Sequence, residues 1–240
     1  MQQKRILVPT DGPDTWKRFL AEPEKQWKFG FSAMSTAFSW EQANGVPNEI
    51  IALFENAVEP KLHDAKIALA IPEYKVDLAG GSRPSQNDVF AVLSCTNGLI
   101  AMMVEGKARE DFGPLVGDWT KTTSAQGVKA RLEHIMQSIG LGQRPPDDIR
   151  YQLLHRAASA VIEAKRFHAP FAAMVIQSFE SSNAKNHYDD FCDFIRLFGV
   201  KPAKGSLLEL SQPCGCRLFA AWVQSVHAGA KPNITVGVGP

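Results

Sequence analysis

Asp88, Glu105 and Lys107 are the residues from which a chemistry can be built. Two carboxylates and an ammonium facing one small space would hold a hard divalent cation through oxygen. The lysine would be left to orient a water and offset charge on a phosphate. The acidic-x-Lys tripeptide alone carries no weight, because it also occurs at Glu59-Pro60-Lys61, Asp64-Ala65-Lys66, Glu73-Tyr74-Lys75 and Glu163-Ala164-Lys165. Only Glu105-Gly106-Lys107 ends a long apolar run with an aspartate able to face it. Charges at the end of a buried strand are costly unless paired or bound. The competing structural reading is a salt bridge between Asp88 and Lys107, with Glu105 at a solvated strand end.

The element that must position these groups is a β-hairpin. Val89-Phe90-Ala91-Val92-Leu93 and Leu99-Ile100-Ala101-Met102-Met103-Val104 are apolar runs separated by Thr96-Asn97-Gly98. Asn-Gly between two such runs is the strongest short-range hairpin signal. With Asn97 and Gly98 as the loop, Asp88 stands opposite Lys107, and Glu105 opposite Phe90. Opposed residues share a face and side chains alternate with period two, so all three charges project from one side. Opposed Cβ atoms lie about 5 Å apart and diagonal ones about 7–8 Å. The runs are apolar on both faces, which places them centrally in a sheet covered on both sides.

Composition sets the frame. The 240 residues, 45% apolar and 21% charged, suffice for one large domain with a real core. The net charge of +1 leaves no overall basic surplus, so nucleic-acid contact must come from a local patch. No apolar run approaches a membrane span, and residues 1–9 lack a cationic, apolar, small-residue pattern, so neither a membrane span nor secretion is expected. Four cysteines make no disulfide framework at this length, and Cys214-Gly215-Cys216 reads as a turn between strands. The expectation is a cytoplasmic protein without membrane contact, with a homodimer as the candidate assembly.

Residues 6–8 read as an extended lead-in, and helices are expected over 13–20, 31–43 and 47–57. Strand-like runs over 67–78 break at Pro72, a Gly80-Gly81-Ser82 turn follows, and then the hairpin. A helix near 128–138 is next. Pro145-Pro146-Asp147-Asp148 starts another, with aspartate as N-cap, running to about Phe167. On it Gln152, Arg156, Ser159, Glu163 and Arg166 form a narrow polar stripe. A strand at 171–179, a helix at 184–198 and a closing hairpin at 206–210 and 218–223 complete the order. The reading is an α/β fold: a central mixed sheet flanked by helices on both faces, with an N-terminal helical extension. It is read as one domain over 1–226, comprising a helical extension at 1–58, a core at 66–180, and a C-terminal helix and hairpin at 184–226. A loose tail is expected at 227–240.

These residues and this order resemble the PD-(D/E)XK nuclease superfamily, the restriction-endonuclease-like fold. The likeness spans about residues 31–179. That superfamily carries an acid on the second core strand, Glu-x-Lys or Asp-x-Lys on the third, and often a glutamine on the following helix. Asp88, Glu105-Gly106-Lys107 and Gln152 fill those positions. The departures are that no proline immediately precedes Asp88 and that the helix near 128–138 is additional. The resemblance implies Mg²⁺ or Mn²⁺ held by Asp88 and Glu105. Glu41 is the candidate extra acid from the first helix, with Glu49 and Glu55 behind it. Catalytic roles fall to Asp88, Glu105, Lys107 and Gln152, and substrate contacts to Arg83, Ser85, Gln86 and Arg156. The chain as a whole also resembles a family of uncharacterised bacterial proteins of similar length.

The function expected is a metal-dependent phosphodiester hydrolase acting on DNA in preference to RNA. The alternatives are a non-catalytic nuclease-fold protein with a binding role, and a sugar- or nucleotide-processing enzyme with its site elsewhere. No Ser-His-Asp arrangement, P-loop or dinucleotide fingerprint stands in the sequence.

Overall fold

The computed structural model describes residues 6–122, 125–179 and 187–226. After a 3₁₀ turn at Pro13–Phe19 come α1 (Pro23–Gln26), α2 (Ser32–Ala43) and α3 (Asn48–Glu55). The meander follows: β1 (Lys66–Val76), β2 (Ser85–Cys95) and β3 (Gly98–Lys107). Then come α4 (Val116–Thr122), α5 (Ala125–Ile139), α6 (Tyr151–Arg166), β4 (Phe171–Ser178) and α7 (His187–Arg196). The hairpin β5 (Leu208–Ser211) and β6 (Arg217–Gln224) closes the order, with a 3₁₀ turn at Pro213–Gly215 between its strands.

The six strands form one mixed sheet in the order β1-β2-β3-β4-β6-β5. The β1–β2 and β2–β3 pairs are antiparallel, β3–β4 and β4–β6 parallel, and β5–β6 antiparallel. The central strands are apolar almost throughout, and every residue of β4 is buried. Such strands need cover on both faces. Leu153, Leu154, Ala157 and Val161 of α6 pack with Phe90, Val92, Ala101 and Met103 on one face. Trp40 of α2 and Ile50, Leu53 and Phe54 of α3 pack with Val89, Leu93, Met102 and Val104 on the other. The expected fold class, an α/β protein with a helix-flanked mixed sheet and an N-terminal helical segment, is the one observed. Among the described residues no helix is long and apolar enough to cross a membrane.

Four local expectations are corrected. The hairpin turns on Thr96-Asn97, with Cys95 paired to Gly98 and Phe90 to Met103. Asp64 explains the shift, because its carboxylate accepts Thr96 N–H at 2.9 Å and takes the threonine hydroxyl as well. Pairing therefore moves by two residues, Glu105 is not opposite Phe90, and Asp88 is not opposite Lys107. An even shift leaves every apolar side chain of the paired stretch on its expected face. Second, β1 runs unbroken through Pro72, which pairs with Val89. It is the edge strand, where a missing N–H is tolerated. Ile6 bridges to Ala70 and covers a portion of that edge.

Third, α6 starts at Tyr151, without an aspartate cap. Residues 147–150 are pinned instead to the chain around α4: Gly117 N–H donates to Asp147 O and Val116 N–H to Ile149 O. Fourth, neither the short α1 nor α4 was expected. The expected helix start at 184–186 and the loose tail lie outside the described residues.

Candidate functional site

At the C-terminal end of β3 the ladder with β2 stops at Val89↔Val104, while β3 continues alongside β4 to Lys107↔Ser178. A cleft of about 330 Å³ lies where these strands part. Its walls include Glu73, Gln86 and Asp88 from β1 and β2, Glu105 and Lys107 from β3, and Gln152 and Arg156 from α6. Lys25, Gln26, Phe31 and Ser32 close the side toward the N-terminal helices. Asp88, Glu105, Lys107, Gln152, Gln86 and Arg156, each singled out in the sequence, therefore line one cleft.

Glu105 is its most heavily engaged group, only 3% exposed. One oxygen accepts from Lys107 Nζ at 2.9 Å and Gln152 Nε2 at 2.6 Å, the other from Arg156 Nε at 2.5 Å. Burial opposes its charge, yet Arg156 and Lys107 overcome this and hold the carboxyl below its usual range. Lys107 lies 4.8 Å from the centre of the Phe112 ring, which walls its ammonium off from water. Asp88 accepts the Gly106 N–H at 2.7 Å. Burial first, then the charges of Glu105 and Glu73, push its carboxyl well above the ordinary value.

Gly106 is required here by space. A Cβ on it would come within 2.2 Å of Thr36 Oγ1 on α2 and 3.2 Å of Asp88 Oδ2. The middle position of Glu-x-Lys is thus where α2 meets the sheet.

Sequence reasoning missed Glu73. It stands in mid-strand with φ +52°, rare for a side chain other than glycine or asparagine. Gln86 Nε2 donates to it at 2.7 Å. Burial, reinforced by Glu105 and against the Gln86 hydrogen bond, pushes its carboxyl up to about 7. Nothing in the tripeptide Glu73-Tyr74-Lys75 separates it from the other copies. Only the backbone irregularity on the strand beside Asp88 does, and that is a tertiary property.

The remaining candidates stand elsewhere. Glu41 does not line the cleft; it accepts from Trp16 Nε1 at 2.8 Å. Arg83 contributes its carbonyl oxygen to Arg131, which also binds the carbonyls of Leu78, Ala79 and Gly81 and so fixes the Gly80-Gly81 turn. Ser85 is buried behind the cleft, accepting from Arg156 at 2.9 Å and facing His155 Nδ1 at 2.9 Å. Burial and the neighbouring Arg156, Arg131 and Lys107 drive the His155 imidazole well below its usual range. A neutral ring can then accept the Ser85 hydroxyl proton in a hydrogen bond. The middle of the polar stripe of α6 faces inward, with Arg156, Ser159 and Glu163 all buried, while Arg166 at its end is exposed.

Among the described residues no three of His, Cys, Asp and Glu are gathered tightly enough to hold a metal ion by themselves. Mg²⁺ asks for less: one or two carboxylates, with water completing its octahedron. Asp88 and Glu105 meet that donor requirement. The electrostatics also fit a cation, since four acids, Glu73, Asp88, Glu105 and Glu110, line the cleft with three cations, Lys25, Lys107 and Arg156. Gln152 adds a buried carbonyl oxygen with no partner among the described residues.

No curated protein and no solved structure matches the chain. One family matches over residues 9–227. The chain therefore belongs to the family described as "Domain of unknown function (DUF6946)".

Proposed function

We propose that the protein is a metal-dependent phosphodiester hydrolase of the PD-(D/E)XK type, acting on DNA. The observation that carries this reading is the meeting of Asp88, Glu105, Lys107 and Gln152, from three elements, on one cleft with an excess of acid. The order α2, β1–β3 meander, α6 and β4 parallel to β3 supports it as well.

Asp88 and Glu105 would hold Mg²⁺ or Mn²⁺. Bound there, the metal supplies Lewis-acid polarisation of the scissile phosphate and acidifies a water. Lys107 orients the attacking water and offsets charge growing on the phosphoryl oxygens. Gln152 fixes the Glu105 carboxylate and presents its carbonyl oxygen to that water. Arg156 holds the second Glu105 oxygen, and Ser85 in turn holds Arg156.

Glu105 also favours a second reading. With Lys107, Gln152 and Arg156 all bound to it, the cluster is satisfied as a structural network, as in a non-catalytic protein of this fold. DNA incubated with Mg²⁺ and the wild-type, Asp88→Ala and Lys107→Ala proteins separates the two. The nuclease reading expects both variants to keep native circular dichroism and lose cleavage on the order of 100-fold or more. Undiminished cleavage by either variant, or none by wild type, overturns it.

A further inference from the structure

Phe29 is 63% exposed and is the one aromatic side chain left exposed among the described residues. It stands on a built turn. Phe31 N–H donates to Lys28 O at 3.1 Å, and Gly30 takes φ +80° at the third position, as a type II turn demands. The Arg109 guanidinium packs against Gly30, about 3.4 Å from where a Cβ would be. The turn is also anchored at its far end, where the Glu110 carboxylate accepts Ser32 N–H at 2.8 Å. Lys25, Gln26 and Phe31 line the cleft, so this turn belongs to its rim.

The turn's own segment carries a positive surplus: Lys17 pairs with Glu24 and Lys25 with Glu22, so the surplus is Arg18 and Lys28. Residues 16–31 hold four Lys or Arg against two Glu, a surplus of two in a chain whose total is +1. Lys28 precedes Phe29 in the chain, and Arg109 packs on the residue that follows it. Turn tips ordinarily carry polar residues. A large exposed ring among cations matches the stacking platforms that take single-stranded nucleic acid, where phosphates meet the cations and a base covers the ring. Phenylalanine offers no hydrogen bond, so recognition by it is base-tolerant and needs a base face free of its neighbours. A duplex interior does not offer one.

We propose that this turn is the substrate rim of the cleft and that it receives an unpaired base on Phe29, with Lys28 and Arg109 against the flanking phosphates. This rests on the nuclease reading for the identity of the cleft and narrows its substrate to single-stranded or frayed DNA. The test is fluorescence anisotropy in EDTA, where cleavage is silent, using labelled oligo(dT) and a duplex of equal length.

Wild type is expected to prefer the single strand. Phe29→Ala should weaken that binding about tenfold or more, Phe29→Trp should restore it, and Lys28→Ala should reduce the salt slope by about 0.7. No single-strand binding by wild type, equal binding of the duplex, or unchanged binding by Phe29→Ala would overturn the proposal. A protein that binds oligo(dT) through Phe29 and never cleaves would overturn the nuclease reading alone. Duplex cleavage at full rate by Phe29→Ala would overturn the single-strand proposal alone.

Discussion

At the scale of single residues, the cleft is defined by acids driven in opposite directions. Glu105 is held charged by Lys107 and Arg156, whereas Glu73 and Asp88 are pushed toward protonation by burial and by neighbouring carboxylates. Glu73 has a clear consequence for stability. Its folded value, about 7, lies above the ordinary 4.5, so the folded state binds more protons than the unfolded chain between those limits. Its contribution is therefore favourable below about pH 4.5 and is lost as pH rises through 7. In metal-free buffer, Glu73→Gln should be more stable than wild type by roughly 1–3 kcal/mol at pH 8, the difference shrinking toward pH 5. Urea denaturation at both pH values checks this, and an equal difference at both would contradict it. Glu73 was invisible in the sequence for a physical reason: a positive φ in mid-strand is imposed by packing and leaves no mark on residue type.

At the scale of elements, the site is a meeting of β3 with α2 on one side and α6 on the other. Gly106 is where α2 comes closest. Gly106→Ala would drive a Cβ into Thr36 Oγ1 and crowd the Asp88 carboxylate. The expected cost is about 1–3 kcal/mol, the usual range for overpacking a tight contact. Thermal denaturation measures it, and an unchanged midpoint would mean that α2 can retreat freely. The hairpin and both of its apolar faces were legible because period-two patterning survives an even change of register. The turn position was not legible, because Asp64, more than thirty residues from the turn, decides it through Thr96. The start of α6 was misplaced for the same kind of reason. Its aspartates look like caps, yet the backbone there is committed to Gly117 and Val116. The inward turn of the α6 stripe was half legible: Gln152 and Arg156 stood as site candidates beside an equal reading as helix surface, and Glu105, bonded to both, decides between the two.

At the scale of the whole molecule, fold and function separate. The layered α/β architecture followed from the order of apolar runs and breakers, and it appears in the structure with two added helices, α1 and α4. The fold by itself does not choose between a catalyst and a binding protein. What separates them is whether the acid excess in the cleft attracts a divalent cation or is merely tolerated by Lys107 and Arg156. Isothermal titration of Mn²⁺ into the wild-type protein and into Asp88→Ala, with Asp88→Asn as the closer control of shape, asks this directly. Saturable Mn²⁺ binding by wild type and its loss in both variants are predicted. Absence of binding by wild type, or binding unaltered when Asp88 is replaced, would contradict a metal site in the cleft.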